Sequence, residues 1–223
     1  MITRADIPYT NAHTHRPVDG YSVFNLAPES TAQALVPRFS VGVHPWYAGD
    51  WTKDTIRDHL FKFTGQPGLC AIGECGLDRL RGPEIAQQEM AFIAQIEFSE
   101  EMGLPLILHC VRATERLLHL HKKTAPRQQW IFHGFNLRLA MAEALLKEGL
   151  KLSFGSAILN RRSAAAKALA ACPADQFLLE TDEAACSIEE VYAAAAEIRQ
   201  MAPDGLKVLV FQNWKRTFAH TSE

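Results

Sequence analysis

The 223-residue chain is poor in cysteine, and its five cysteines follow no pattern. Cys70, Cys75, Cys110, Cys172 and Cys186 form no CxxC pair, and their odd number leaves one unpaired in any disulfide scheme. That excludes a disulfide-stapled scaffold and a thiolate zinc module, and makes reduced thiols in the cytoplasm the expectation. No window approaches the roughly 18 consecutive apolar residues of a membrane span. The opening "MITRADIPYT" lacks a basic region followed by an apolar run, so it does not read as a signal peptide. An excess of positive charge is missing too: Lys and Arg number 23 against 25 Asp and Glu, a net charge of −2. The molecule as a whole therefore does not attract nucleic acid, and a polyanionic substrate would have to be held by local charge or by metal. No Pro/Gly/Ser-rich linker, internal repeat or low-complexity run divides the chain, so one domain over 1–223 is expected.

What is present is an alternation of short β-rich apolar runs with helical patterns. The runs are 9–13, 21–26, 38–43, 68–73, 104–109, 129–134, 150–155 and 176–181. Apolar runs of this length suit strands buried on both faces, as in a parallel sheet. Between them, Ile56, Leu60 and Phe63 keep helical spacing, as do Leu137, Met141, Ala144 and Leu145. Ser187 with Glu190 makes a capping box ahead of Ile188, Val191, Ala195 and Ile198. The reading is an α/β fold, a (β/α)8 barrel. Only "RPVDG" separates His15 from Tyr21, too little for an ordinary helical crossover. Either the first β/α unit is trimmed or the 21–26 strand runs antiparallel.

The metal-type residues fall at the C-terminal ends of these runs. His13 and His15 end the first, Glu74 follows "LCAIG", His109 ends "LPLIL", His133 ends "QWIF" and Asp182 follows "FLLET". In a parallel barrel those ends meet on one face, where active sites are built. Residues i and i+2 of a strand share a face, so His13 and His15 can reach one ion. One histidine at a strand end is more often a hydrogen-bonded plug, and one acid there is often a helix cap. Six such groups converging without a cation would bury unbalanced charge. Four imidazoles and two carboxylates suit a pair of divalent ions of the Zn, Mn, Fe or Mg class, with a carboxylate bridging them.

The stretches "NAHTH", "VGVHPW", "AIGECGLD", "LILHC", "IFHGF", "LLETD" and "NWKRTF" span residues 11–218 and resemble the TatD family of metal-dependent hydrolases. The resemblance implies a distorted TIM barrel, two divalent metal ions and hydrolase activity, often deoxyribonuclease activity on DNA. It implies that His13 and His15 bind the first ion, that Glu74 bridges, that His109 and His133 bind the second, and that Asp182 completes the first site and accepts the proton of the attacking water. Glu180 is expected to support its strand end.

The chain departs from the family pattern at three places. Asn11 stands where the family carries aspartate, so a charged contact behind the metal ligands becomes a neutral amide. Val111 replaces an arginine, leaving Arg112 as the candidate phosphate contact. After "ETD" a long loop is replaced by "EAACSIEEVY", which brings Glu183 and Glu189 toward the mouth. Elsewhere, His44 is a candidate substrate-binding residue, with Trp46 either beside it at the mouth or packed as a lid. Cys75 and Cys110 follow ligand positions and should face away from the metals. His59, His119, His121 and His220 read as surface residues, and Trp214 with Phe218 as the closure of the barrel. The leading function is a metal-dependent phosphodiesterase acting on DNA or a small phosphodiester. The alternatives are an ester or amide hydrolase on the same centre, including aminoacyl-RNA deacylation, and a metal-binding scaffold without turnover.

Overall fold

The computed structural model describes residues 7–16, 20–26 and 37–218. Eight strands form one parallel sheet in sequence order: β1 Thr10–Thr14, β2 Tyr21–Leu26, β3 Phe39–Val41, β4 Leu69–Asp78, β5 Leu106–Val111, β6 Trp130–Phe132, β7 Lys151–Phe154 and β8 Phe177–Leu179. Beyond β8 the chain returns to β1, where the Asp182 amide donates to the His13 carbonyl (3.0 Å) and the His15 amide to the Asp182 carbonyl (3.3 Å). The sheet thus curls into the expected TIM barrel. Around it lie α1 Lys53–Phe61, α2 Ile85–Met102, α3 Thr114–Thr124, α4 Leu139–Lys147, α5 Ala164–Ala171, α6 Ile188–Arg199 and α7 Pro203–Phe218.

The short first connection is a trimmed unit, not a reversed strand: β2 runs parallel to β1, with Thr10 opposite Tyr21. The Ser187–Glu190 capping box opens α6 as its sequence predicts, and Thr52 and Ser163 cap α1 and α5. One histidine differs from expectation. His59 is buried, against Trp51 and Phe63, because it follows Ile56 by three residues and shares that helix's inward face. His121 is half-buried beside Trp130, His119 is exposed, and His220 lies outside the described residues.

β4 is buried at all ten positions, as expected for a strand covered on both faces. Inside the ring the strand alternation stacks two layers. Ile107, Ile131 and Leu178 each stand two residues before His109, His133 and Glu180, so an apolar layer underlies the polar one. Trp214 and Phe218 of α7 pack against that layer with Val23, and Tyr21 meets Trp214 edge-on. Cys75 is buried in the main core and Cys110 packs against it.

Candidate metal centre

Glu74 is aimed by an irregularity in β4. Between the pairs Ile72–Leu106 and Cys75–Leu108, β4 spends one residue more than β5, a bulge of the kind that re-aims a side chain beside a site. The glycines around it are needed there. Gly73 has φ 152°, and a Cβ on it would lie 2.7 Å from the Ile107 carbonyl oxygen. Only glycine fits both the backbone angle and the close approach of the two strands.

The two oxygens of Glu74 face different groups. Oε2 lies 3.4 Å from Nε2 of both His13 and His15, and Oδ1 of Asp182 lies 3.5 and 3.4 Å from the same two nitrogens. Oε1 lies 2.8 Å from His133 Nε2, 3.0 Å from His109 Nδ1 and 3.4 Å from His44 Nε2. Asp182 reaches its place because it adopts a left-handed conformation, φ 52°, between the two seam hydrogen bonds to β1. Aspartate tolerates that conformation better than most residues.

This arrangement fits metal better than hydrogen bonding. The separations of 3.4–3.5 Å in the first group exceed an ordinary N–H···O bond of about 2.7–3.2 Å. They match the edge of a tetrahedron of ligands about 2.1 Å from one ion, roughly 3.4 Å. Neither ring nitrogen of His13, which is wholly buried, has a hydrogen-bond partner. Such orphaned polar atoms are costly unless something binds them.

The tautomers follow from the outer partners. His109 Nε2 meets Asp78 Oδ2 at 3.1 Å and its Nδ1 meets Glu74 Oε1 at 3.0 Å; with an ion on the Glu74 side, the proton would sit toward Asp78 and the Nδ1 lone pair would be free to ligate. His133 Nδ1 lies 3.5 Å from Glu180 Oε1, beyond an ordinary hydrogen bond, and is buried without a hydrogen-bond partner. Glu180 is wholly buried, and the same oxygen accepts from the Gly134 amide at 2.6 Å. His44 differs: its Nδ1 accepts from the Trp46 amide at 3.2 Å, so in the neutral ring Nε2 carries hydrogen. It is a donor at the edge of the second group, even though its distances would also admit it as a ligand.

The charges are mutually adjusted. Burial raises the Glu74 carboxyl, but the imidazoles of His133, His109 and His13 outweigh it and hold the group well below the usual carboxylate range. Burial lowers His13, while Asp182 and Glu74 push it up to about 9. His133 is likewise raised, by Glu74 and Glu180 against burial. Burial dominates at His44 and lowers it, which keeps the ring neutral. Burial raises Asp182, and contact with His13 brings it below its ordinary value.

All six expected ligand residues converge, with His44 beside them. Arg112 does not line the metal cavity; it opens onto a neighbouring cleft. Asn11 contacts none of the ligand side chains: its amide donates to Thr181 Oγ1 (2.8 Å) and its oxygen accepts from the Thr181 amide (3.1 Å). The family's charged position is here a neutral stitch across the seam between β1 and β8. Trp46 both lines the cavity and braces it, its indole N–H donating to Asp78 Oδ2 at 2.6 Å. Two further residues shape the site without a sequence motif of their own. Asp78 was visible only as the end of "GECGLD", four residues after Glu74 and therefore on its face of the strand. Asn25 lines the cavity from β2, its Oδ1 held by the Ser40 hydroxyl at 3.1 Å, and no motif marks it. The cavity measures about 340 Å³, and Glu183 stands at its rim.

A family model for TatD related DNases matches residues 24–219. The chain belongs to this family. Among TatD relatives, the 3'-5' ssDNA/RNA exonuclease TatD of Erwinia tasmaniensis is 36% identical over 149 residues, covering 64% of this chain and 56% of the relative. The match thus spans little more than half of that relative's length. Among solved structures, the TatD homologue YjjV of Escherichia coli K12 superposes with a TM-score of 0.83 at 22% identity, covering 98% of this chain and 99% of its own. The phosphotriesterase homology protein of Escherichia coli, which holds phosphate in its active site, superposes with a TM-score of 0.63 at 13% identity over 81% of this chain and 74% of its own. Both likenesses concern the barrel fold alone.

Proposed function

We propose that the protein is a divalent-metal-dependent phosphodiesterase that hydrolyses single-stranded nucleic acid, with His13, His15 and Asp182 holding one ion, His109 and His133 a second, and Glu74 both. The observation that carries this reading is the division of Glu74 between two nitrogen groups, the first of them spaced as the ligands of one ion would be. Two divalent ions so placed would activate a water at neutral pH and neutralise charge on the attacking and leaving oxygens.

The chain's own groups supply the rest. Asp182, deprotonated at neutral pH and partly open to the cavity, is placed to accept the proton of the attacking water. His44 offers its Nε2–H toward the substrate side and can hydrogen-bond an oxygen of the phosphoryl group. Asp78 fixes the imidazole of His109, so that ligand need not reorganise. Trp46 and the exposed Tyr47 line the same cavity and give a base a face to stack on. The named activity of the Erwinia tasmaniensis relative and the phosphate in the phosphotriesterase homology protein agree with a phosphate ester as substrate. No helix among the described residues is long and apolar enough to cross a membrane, and the five unpaired thiols favour a cytoplasmic setting.

The test is turnover of end-labelled single-stranded DNA and bis(p-nitrophenyl) phosphate by metal-reconstituted protein, beside matched ester and amide substrates. Asp182→Asn should lower kcat on both phosphodiesters by about 10²–10⁴-fold with little change in KM. Cleavage of esters or amides alone, or an Asp182→Asn variant at wild-type rate, would overturn the reading.

A further inference from the structure

A second cleft of about 770 Å³ opens beside the metal cavity, walled by the segments that leave β4, β5 and β6 at their C-terminal ends. Arg79, Arg112 and Arg138 line it, all exposed and none with a salt bridge or a side-chain hydrogen bond. Arg116, also on the wall, is committed to Glu89, and Glu115 is the one carboxylate among the lining residues. Some exposed arginines elsewhere, Arg57, Arg127 and Arg161, are paired with carboxylates. Three uncommitted guanidinium groups around one concavity concentrate positive charge there in a chain of net charge −2.

The floor of the cleft is apolar, with Leu137, Met141 and Ala144 among its residues. A cationic rim over an apolar floor suits a ligand that combines anionic groups with flat uncharged faces, as a run of nucleotides does. The cleft also lies close to the metal centre along the chain. Arg79 follows Asp78, which touches His109, and Arg112 is three residues beyond His109, within about 10 Å of it along the chain. On the β8 side of the mouth stands Glu183, whose charge repels phosphate.

Resting on the phosphodiesterase reading above, we propose that this cleft binds the phosphates of a single-stranded nucleic acid beyond the scissile linkage, so that the strand leaves the metal centre over β4–β6 and away from β8. Arg79, Arg112 and Arg138 hold successive phosphates while the apolar floor receives bases.

The test compares Arg79→Gln/Arg138→Gln with the parent in two assays. In an Asp182→Asn background, metal-loaded protein is titrated with fluorescein-labelled dT12 at several salt concentrations. Loss of two phosphate contacts should weaken binding on the order of tenfold and flatten the slope of log K against log salt by about 1.4. In the Asp182 protein, KM for dT12 should rise by a similar factor, while bis(p-nitrophenyl) phosphate, too short to reach the cleft, keeps its kcat. An unchanged salt slope, or an equal loss on the small diester, would overturn the proposal. A flattened slope in a protein that cleaves no phosphodiester would support the cleft and instead sink the catalytic reading.

Discussion

The two ends of the barrel solve the problem of buried charge in opposite ways. At the C-terminal mouth, four imidazoles and the carboxylates of Glu74 and Asp182 are packed together, and each group shifts the others. At the N-terminal floor, Lys151 of β7 is buried with its ammonium donating to the Thr217 hydroxyl at 2.7 Å, and Trp214 and Phe218 seal the apolar layer nearby. The mouth keeps the ring nitrogens of His13 without partners where ions fit, whereas the floor gives Lys151 a hydroxyl partner and fills space with large rings, leaving the buried Trp214 indole N–H unbonded. Coupled ionisable groups collect where chemistry is done, and packing collects where only stability is needed.

Substitutions should separate the two ends. Glu74→Gln removes the negative charge shared by both nitrogen groups, so kcat should fall on the order of a thousandfold or more and metal content below that of the parent. Elemental analysis and circular dichroism on one sample check this; a fully metal-loaded, active variant would deny Glu74 its bridging place. Phe218→Ala should do the reverse, costing about 3–5 kcal/mol of stability in denaturant titration while the folded fraction keeps its specific activity. A floor substitution that lowered activity per folded molecule would erase the distinction.

A finer test lies behind the ligands. Asp78→Asn leaves an amide where His109 Nε2 and the Trp46 indole both need an acceptor, and should weaken divalent-metal affinity about 10–100-fold without unfolding the barrel. Isothermal titration distinguishes this from a merely structural role, which would lower the melting temperature and leave affinity alone. The smallest effect belongs to the floor. Burial holds Lys151 down to about 8, below the ordinary value near 10.4 that it regains on unfolding. Between these values the unfolded chain binds the extra proton, so stability rises with pH across that window and the penalty is complete below it. From pH 7.5 to 9.5 the parent should gain melting temperature relative to Lys151→Met; parallel curves would mean that Lys151 is not depressed.

Much of this was legible in the sequence because it depends on local pattern. Apolar runs marked all eight strands, and the position of each histidine or acid at a run's end named the mouth. What the sequence could not convey depends on register between strands. Asp78 meets His109 because Gly76 pairs with His109 and Asp78 with Val111, a registration set by the bulge at Glu74. Asn11 reads as a loss of charge, yet in the fold it ties β1 to Thr181. Arg112 reads as a phosphate contact at the metal, but its position beyond the end of β5 turns it to the adjoining cleft. His59 has the composition of a surface residue and the helical phase of a core one.

The most direct measurement of the central claim is anomalous diffraction from crystals grown with Mn²⁺. Two peaks about 3.5–4 Å apart are expected, one against each oxygen of Glu74, the first beside His13, His15 and Asp182 and the second beside His109 and His133. A single peak, or peaks that leave Glu74 uncoordinated, would contradict the binuclear account.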